Sequence, residues 1–165
     1  MHDNVVALFA HDRWANTMVL DACRKLTAQQ YDAEPVPGWS SVRSTICHIA
    51  LVTEFHLRTL AGDPDESIPT EADLATVDDA ARWLERAYRR FEELRPTLTP
   101  DWLNTLLTLR RPGFTATLPR WAMLRHIVNH STYHRGQVAS KLKRFGIEQP
   151  ITDFFWWFEQ VPQEA

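Results

Sequence analysis

Cysteine is scarce in this sequence. Cys23 and Cys47 are the only two among 165 residues, and they do not form a CxxC pair. Two separated cysteines are too few for a disulfide framework, so the fold must be held by its apolar core. With 44% hydrophobic residues, the chain has enough apolar content for a single domain over residues 1–165.

The sequence also lacks a long hydrophobic run and a surplus of basic charge. It has no run of about eighteen apolar residues, and its N-terminus lacks the basic and apolar pattern of a signal peptide. We therefore expect a soluble cytoplasmic protein without a membrane partner. Lys and Arg total 18 against 21 Asp and Glu, which gives a net charge of −3. Because the basic residues are interleaved with acidic ones, no nucleic-acid partner is expected.

Four segments carry apolar residues at the spacing of amphipathic helices. The pattern predicts helices from Val5 to about Ala28, from Ser40 or Ser41 to Leu60, from Thr76 along an apolar stripe that reaches Leu98, and from Pro119 to near Gly146. Four such helices, with connections long enough for a crossover, predict an all-α fold of the four-helix-bundle class.

Two shorter features complete the prediction. Threonine is mixed with apolar residues in 105–109 and 114–118, around a turn that contains Pro112 and Gly113, which predicts a short β-hairpin before the last long helix. The C-terminal segment 153–158 is rich in Phe and Trp. Such an aromatic segment should dock on the bundle or on another subunit.

Histidines recur at intervals of four in the last predicted helix, at His126, His130 and His134. Helical geometry places His130 and His134 about 40° apart, on the side of Ile127 and Val138. Burying imidazoles without partners costs free energy, whereas a divalent cation uses both nitrogens as ligands. The pair therefore favours a metal site, and the alternative is two core histidines that each bond to a neighbouring side chain.

The second predicted helix offers a third ligand, His48, on the same face as Val52 and Phe55 and therefore directed inward. Metal sites in helical bundles are built from inward-facing side chains of neighbouring helices, and three histidines leave a coordination position open for water or substrate. His56 lies near the rim and ranks lower as a ligand. His11, on the inner face of the first helix, is best explained as a core histidine with a hydrogen-bond partner.

These residues carry a family resemblance. The segment Asn129-His130-Ser131-Thr132-Tyr133-His134-Arg135-Gly136-Gln137 resembles the signature of the DinB family, within the DinB/YfiT-like metalloenzymes. The resemblance spans essentially the whole chain and includes Trp14-Ala15-Asn16. It implies a four-helix bundle with a divalent metal, zinc or nickel most often, on His48, His130 and His134, and often a homodimer. The sequence departs from the family at position 56, where His56 stands in place of a common Trp.

The resemblance also implies a chemistry. Relatives in the wider superfamily use the metal to activate a low-molecular-weight thiol, so the leading prediction is a metal-dependent thiol transferase with a small-molecule substrate. The alternatives are a metal-dependent hydrolase that uses metal-bound hydroxide, and a non-catalytic metal-binding or interaction bundle. Gln137 and His126 are the candidate catalytic residues. Gln137 would bond a metal-bound water or the substrate, and His126 would act as a base next to the ligands; for each, a purely structural role is the alternative.

Overall fold

A computed structural model of the protein describes residues 2–63, 70–111 and 113–160. Its α-helices are α1 (His2–Cys23), α2 (Ala28–Asp32), α3 (Val42–Ala61), α4 (Val77–Leu94), α5 (Pro100–Asn104), α6 (Arg120–Arg144) and α7 (Phe154–Gln160). Two strands, β1 (Leu106–Arg111) and β2 (Phe114–Pro119), lie between α5 and α6. Among the helices in these ranges, none is both long enough and apolar enough to cross a membrane.

The four long helices, α1, α3, α4 and α6, form the bundle. Both α1 and α3 pack against α4 and α6, so α1 and α3 take opposite corners. Apolar side chains from all four fill the centre, where the ring of Phe9 stacks on that of Phe91 with centroids 3.8 Å apart. The predicted all-α four-helix bundle is confirmed.

Side-chain caps set where the helices begin. Ser41 caps α3 by accepting a hydrogen bond from the backbone N–H of Ser44. Thr76, where the sequence predicts this helix to begin, forms a reciprocal capping box with Asp79 at the start of α4. At the other end of α3, Gly62 adopts a left-handed conformation with φ 77°, which glycine tolerates without a Cβ penalty.

Two predicted helix ends are wrong. The first helix ends at Cys23 rather than near Ala28, because Thr27 begins α2 with a capping box of its own. The third ends at Leu94, because Pro96 lies in a 3₁₀ turn over Arg95–Thr97 and cannot donate the backbone hydrogen bond that an α-helix needs. Leu98 is nevertheless buried, as the apolar stripe predicts.

The predicted hairpin is confirmed. β1 and β2 pair antiparallel, with Leu107 opposite Leu118. Gly113, at the turn, has φ 73°, a conformation that favours glycine.

The aromatic C-terminal segment forms α7 and docks on α1 of the same chain. Trp157 is buried, and its ring meets the ring of His11 edge-on with centroids 5.7 Å apart. Nε2 of His11 lies 2.9 Å from the carbonyl oxygen of Thr152, so His11 is a core histidine with a partner, as predicted. Phe155 and Phe158 remain exposed. The homodimer stays a prediction.

Candidate metal centre

Three histidines from two helices meet at one point. His48 comes from α3, and His130 and His134 come from α6. The Nε2 atom of His130 lies 3.1 Å from Nε2 of His48 and 3.1 Å from Nε2 of His134. One ligand nitrogen from each residue lies within 4.8 Å of the other two. The three residues that the sequence singles out as ligands are therefore brought together.

Helix geometry and packing explain this convergence. The four-residue interval places His130 and His134 one turn apart on α6, and α3 packs along α6 with His48 directed at them. His130 and His134 are half-buried, whereas His48 is exposed. His48 is thus less deeply placed than its apolar neighbours in the sequence suggest, and the cluster is open to solvent on one side.

The geometry of the three nitrogens fits a metal ion. Histidine nitrogens bind zinc at about 2.0–2.1 Å, so two of them on a tetrahedral ion are about 3.3 Å apart. The observed 3.1 Å separations are close to this value. Hydrogen bonding alone does not account for the contacts, because Nε2 of His130 carries either one proton or one lone pair and faces two other nitrogens. A cation satisfies all three lone pairs, so these residues could hold a metal ion.

Gln137 controls which nitrogen of His134 is available. Nδ1 of His134 lies 2.8 Å from Oε1 of Gln137. An amide oxygen only accepts, so Nδ1 carries the proton and Nε2 keeps its lone pair toward the cluster. Outer partners of this kind orient metal-ligating histidines. Gln137 therefore positions a ligand; its predicted contact with a substrate or water stays a prediction.

The surroundings favour the neutral form of His130 and His48. Burial lowers the pKa of His130 to about 4, with further lowering by the neighbouring imidazoles of His134 and His48. Burial also lowers the pKa of His48, and His134 adds to the effect. A neutral imidazole is the form that binds a metal, so the fold favours the binding-competent state.

Two further histidines border the cluster. His126 is exposed, and its ring centroid lies 5.5 Å from that of His130. His56 packs against His126 with centroids 5.3 Å apart, and its Nδ1–H donates to the carbonyl oxygen of Val52 at 2.9 Å. His56 is buried, although its position in the sequence suggests the rim. Neither residue belongs to the three-nitrogen cluster.

A second polar cluster lies about 100° around α6 from the histidines, where side chains of α1, α4 and α6 meet. Arg135 and Asp12 form an ion pair in which both side chains are almost fully buried. The hydroxyl of Tyr88 donates to Asp12 at 2.8 Å, and Nδ2 of Asn16 donates to Oγ of Ser131 at 3.0 Å. Because Ser131 and Arg135 directly follow His130 and His134, this network fixes the rotation of α6 and therefore the direction of both histidines.

The sequence alone does not identify Asp12 as the partner of Arg135. A signal was present, since Asp12 and Asn16 are one turn apart on α1, as are Ser131 and Arg135 on α6. Pairing the two sets requires knowledge that α1 packs on α6. A similar case is Glu54, which falls on the charged face of its helix in sequence but is fully buried, 3.4 Å from the guanidinium groups of α4.

The architecture and this site define a class of protein: a helical bundle in which histidines from two helices could hold one metal ion on an open face. The DinB family matches residues 1–164, and the chain belongs to that family. Protein DinB of Bacillus subtilis is 24% identical over 161 residues, which cover 93% of each chain.

Solved structures share the fold. A DinB-like protein from Bacillus cereus superposes with a TM-score of 0.70 at 19% identity, covering 90% of this chain and 95% of that one. A conserved protein from Enterococcus faecalis gives a TM-score of 0.64 at 14% identity, covering 83% of this chain and 94% of that one. Both the family and the bundle predicted from the sequence are confirmed.

Proposed function

We propose that this protein is a divalent-metal-dependent enzyme that activates a low-molecular-weight thiol for transfer to an electrophile. One observation carries the proposal: the Nε2 atoms of His48, His130 and His134 converge on a point that stays open to solvent. Structural metal sites are usually closed by four protein ligands, whereas open sites with three are typical of catalysis. Zinc and nickel suit the histidine ligands.

The three histidines would hold the metal, and a bound divalent ion would supply positive charge that lowers the pKa of a thiol in contact with it. Neutral imidazole ligands would leave that positive charge undiminished. Gln137 keeps the proton of His134 on Nδ1, so that Nε2 faces the site. The roles of these four residues are binding and orientation.

His126 is the proposed base, since it is exposed and lies beside His130. In this role its neutral ring nitrogen takes the proton from the thiol sulfur. The sulfur then forms a bond to the electrophilic carbon of the substrate, and the leaving group departs with the electron pair of the broken bond. The protonated His126 can return its proton to the leaving group.

Cobalt substitution tests the proposal, because the visible spectrum of Co²⁺ responds to a sulfur ligand. We expect a panel of cysteine-containing small thiols to change the spectrum of the cobalt protein, and the corresponding alcohols to leave it unchanged. His126→Gln should keep the thiol-induced spectrum but shift the pH at which it develops upward. Silence across the thiol panel, together with turnover of simple esters or amides, would replace this proposal with a metal-dependent hydrolase.

A further inference from the structure

Lys141 is a buried lysine without an acidic partner. It lies on α6, two turns after His134, and is only 4% exposed. Its Nζ donates to Oγ of Ser40 at 2.8 Å, to the carbonyl oxygen of Ser41 at 3.3 Å and to Oγ1 of Thr45. All three acceptors are neutral, and within the described residues no carboxylate forms an ion pair with Lys141. Buried charges are normally paired, so this one needs an explanation.

The position of the ammonium group adds to its cost. Ser41 is the N-cap of α3, so Nζ of Lys141 lies at the positive end of a 20-residue helix. Burial lowers the pKa of Lys141, and no described acidic group counteracts it. A cation held at this end of a helix makes the surroundings strongly attractive to an anion.

Lys141 borders a cavity. The cavity has a volume of about 310 Å³, and its described lining residues are Trp39, Ser40, Gln137, Ser140 and Lys141. A neighbouring cavity of about 620 Å³ shares Trp39 and Ser140 with it and is also lined by Lys143, Arg144 and Gln149. The described walls of the two cavities therefore contain three cationic side chains and no acidic one.

The cavity adjoins the metal centre. Gln137 lines it and also accepts the hydrogen bond from Nδ1 of His134, so one side chain separates the two. On α3, Thr45 contacts Nζ of Lys141 and lies about one turn before His48. Lys141 also lies about two turns after His134 on the same face of α6, so the cavity and the histidine cluster are neighbours.

We infer that a carboxylate of the substrate thiol binds at Ser40, beside the ammonium group of Lys141, which makes the substrate class an acidic thiol. The charge of Lys141 attracts the anion while its three N–H groups stay on Ser40, Ser41 and Thr45. The hydroxyl of Ser40 lies 3.3 Å from Oγ1 of Thr45 and would turn its proton from Thr45 to the anion. The indole of Trp39, 42% exposed at the cavity wall, covers the organic part of the molecule. This inference rests on the proposed function and names the substrate class for the same site.

A paired series of probes tests the carboxylate. Straight-chain ω-mercaptocarboxylates and ω-mercaptoalcohols of matching length are titrated into the cobalt-substituted protein, with the visible spectrum as readout. At the length that spans the two sites, we expect the carboxylate to bind at least about tenfold more tightly, as a charge-assisted hydrogen bond provides. No preference for the carboxylate at any length overturns the inference.

Variants of Lys141 and Ser40 test whether these residues cause the preference for mercaptocarboxylates over mercaptoalcohols. Lys141→Met keeps the length of the side chain and should remove the preference, by weakening the mercaptocarboxylates far more than the mercaptoalcohols. Ser40→Ala, at an exposed position where the fold tolerates change, should reduce the preference severalfold. The matched control Lys25→Met removes the same charge from an exposed residue that lines neither cavity, and should leave the preference intact. A Lys141→Met protein with wild-type preference contradicts the inference.

A second measurement separates this inference from the thiol chemistry. Hexanoate, which has no thiol, is titrated into metal-free protein and its binding followed by calorimetry, with hexanol as the neutral control. If thiols fail to alter the cobalt spectrum but hexanoate binds and is weakened at least about tenfold in Lys141→Met, the proposed function fails and the anion site stands. If hexanoate binds no better than hexanol, the anion site is refuted whatever the thiols do.

Discussion

Two faces of α6, about 100° apart around the helix, carry polar clusters of different kinds. On one face, His130 and His134 join His48 in a solvent-exposed cluster. Nε2 of His130 faces two other nitrogens in this cluster and cannot form hydrogen bonds with both of them. On the other face, Ser131 and Arg135 join residues of α1 and α4 in a closed network of hydrogen bonds around Asp12. The members of the two clusters alternate along the same helix.

The difference shows that one set of residues on α6 stabilises the bundle, while another set on the same helix forms the candidate metal site. Polar groups buried away from water are usually paired, and the Asp12 network pairs most of its own by linking three helices, although Nε of Arg135 has no hydrogen-bond partner among the described residues. The histidine cluster lies at the surface, where unpaired lone pairs cost less and remain available to a metal. The network thus holds α6 in the rotation that aims the histidines, and it contributes no ligand itself.

Breaking the buried network should have the largest effect. Asp12→Ala leaves the guanidinium of Arg135 buried without its counter-charge, which should lower the free energy of unfolding by about 3–5 kcal/mol. Urea denaturation of the metal-free protein measures the change. The control is Asp21→Ala on the same helix, because Asp21 forms an exposed ion pair with Arg24 that should contribute at most about 1 kcal/mol. Equal losses in the two variants would mean that the network does not stabilise the bundle.

Breaking the open cluster should leave the fold intact and remove metal-dependent stability. In the wild type, zinc at about one hundred times its Kd should stabilise the protein by about 2.7 kcal/mol. We expect His130→Ala to lose this gain while the metal-free protein unfolds much as the wild type does. His126→Ala, one turn away and outside the three-nitrogen cluster, serves as the control and should keep the gain. Zinc stabilisation that persists in His130→Ala would rule out the site.

A milder change sharpens the comparison. Gln137→Leu removes the acceptor that fixes the ring of His134 and should weaken zinc binding about tenfold, or about 1.4 kcal/mol. Competition with a chromogenic chelator provides the affinity. Gln29→Leu, at an exposed position on α2, should bind zinc like the wild type.

The smallest effect expected is a pH dependence confined to the open cluster. The pKa of His130 is about 4 in the folded protein, below the ordinary value of 6.5, mainly because of burial. Below pH 6.5 the unfolded chain therefore binds a proton that the folded chain does not, so stability is lost as pH falls from 6.5 toward 4. Solvent at this half-buried site keeps the loss small. Denaturation of metal-free protein across this range should show a weaker pH dependence for His130→Ala, and identical slopes would contradict the assignment.

Local sequence patterns predicted much of the molecule because they report local geometry. The four-residue spacing of His130 and His134 follows from the helical repeat, and Thr76 with Asp79 marked the start of α4. The inward-facing side of the second predicted helix added His48. The two helix ends were predicted wrongly because the apolar pattern continues past a residue that stops the helix. Thr27 begins a new helix after α1, and Pro96 lies in the turn that ends α4.

The sequence by itself determined the amphipathic helices, the hairpin, the family and the three histidines, since each depends on the order of residues along the chain. Tertiary structure alone decided that Asp12 is the partner of Arg135, that Glu54 is buried, and that Lys141 lies at the start of α3 beside a cavity. The physical reason is that helical periodicity fixes which residues share a face, whereas the partner that covers a face depends on how the helices pack. Charged residues can occupy buried positions once that packing supplies their partners.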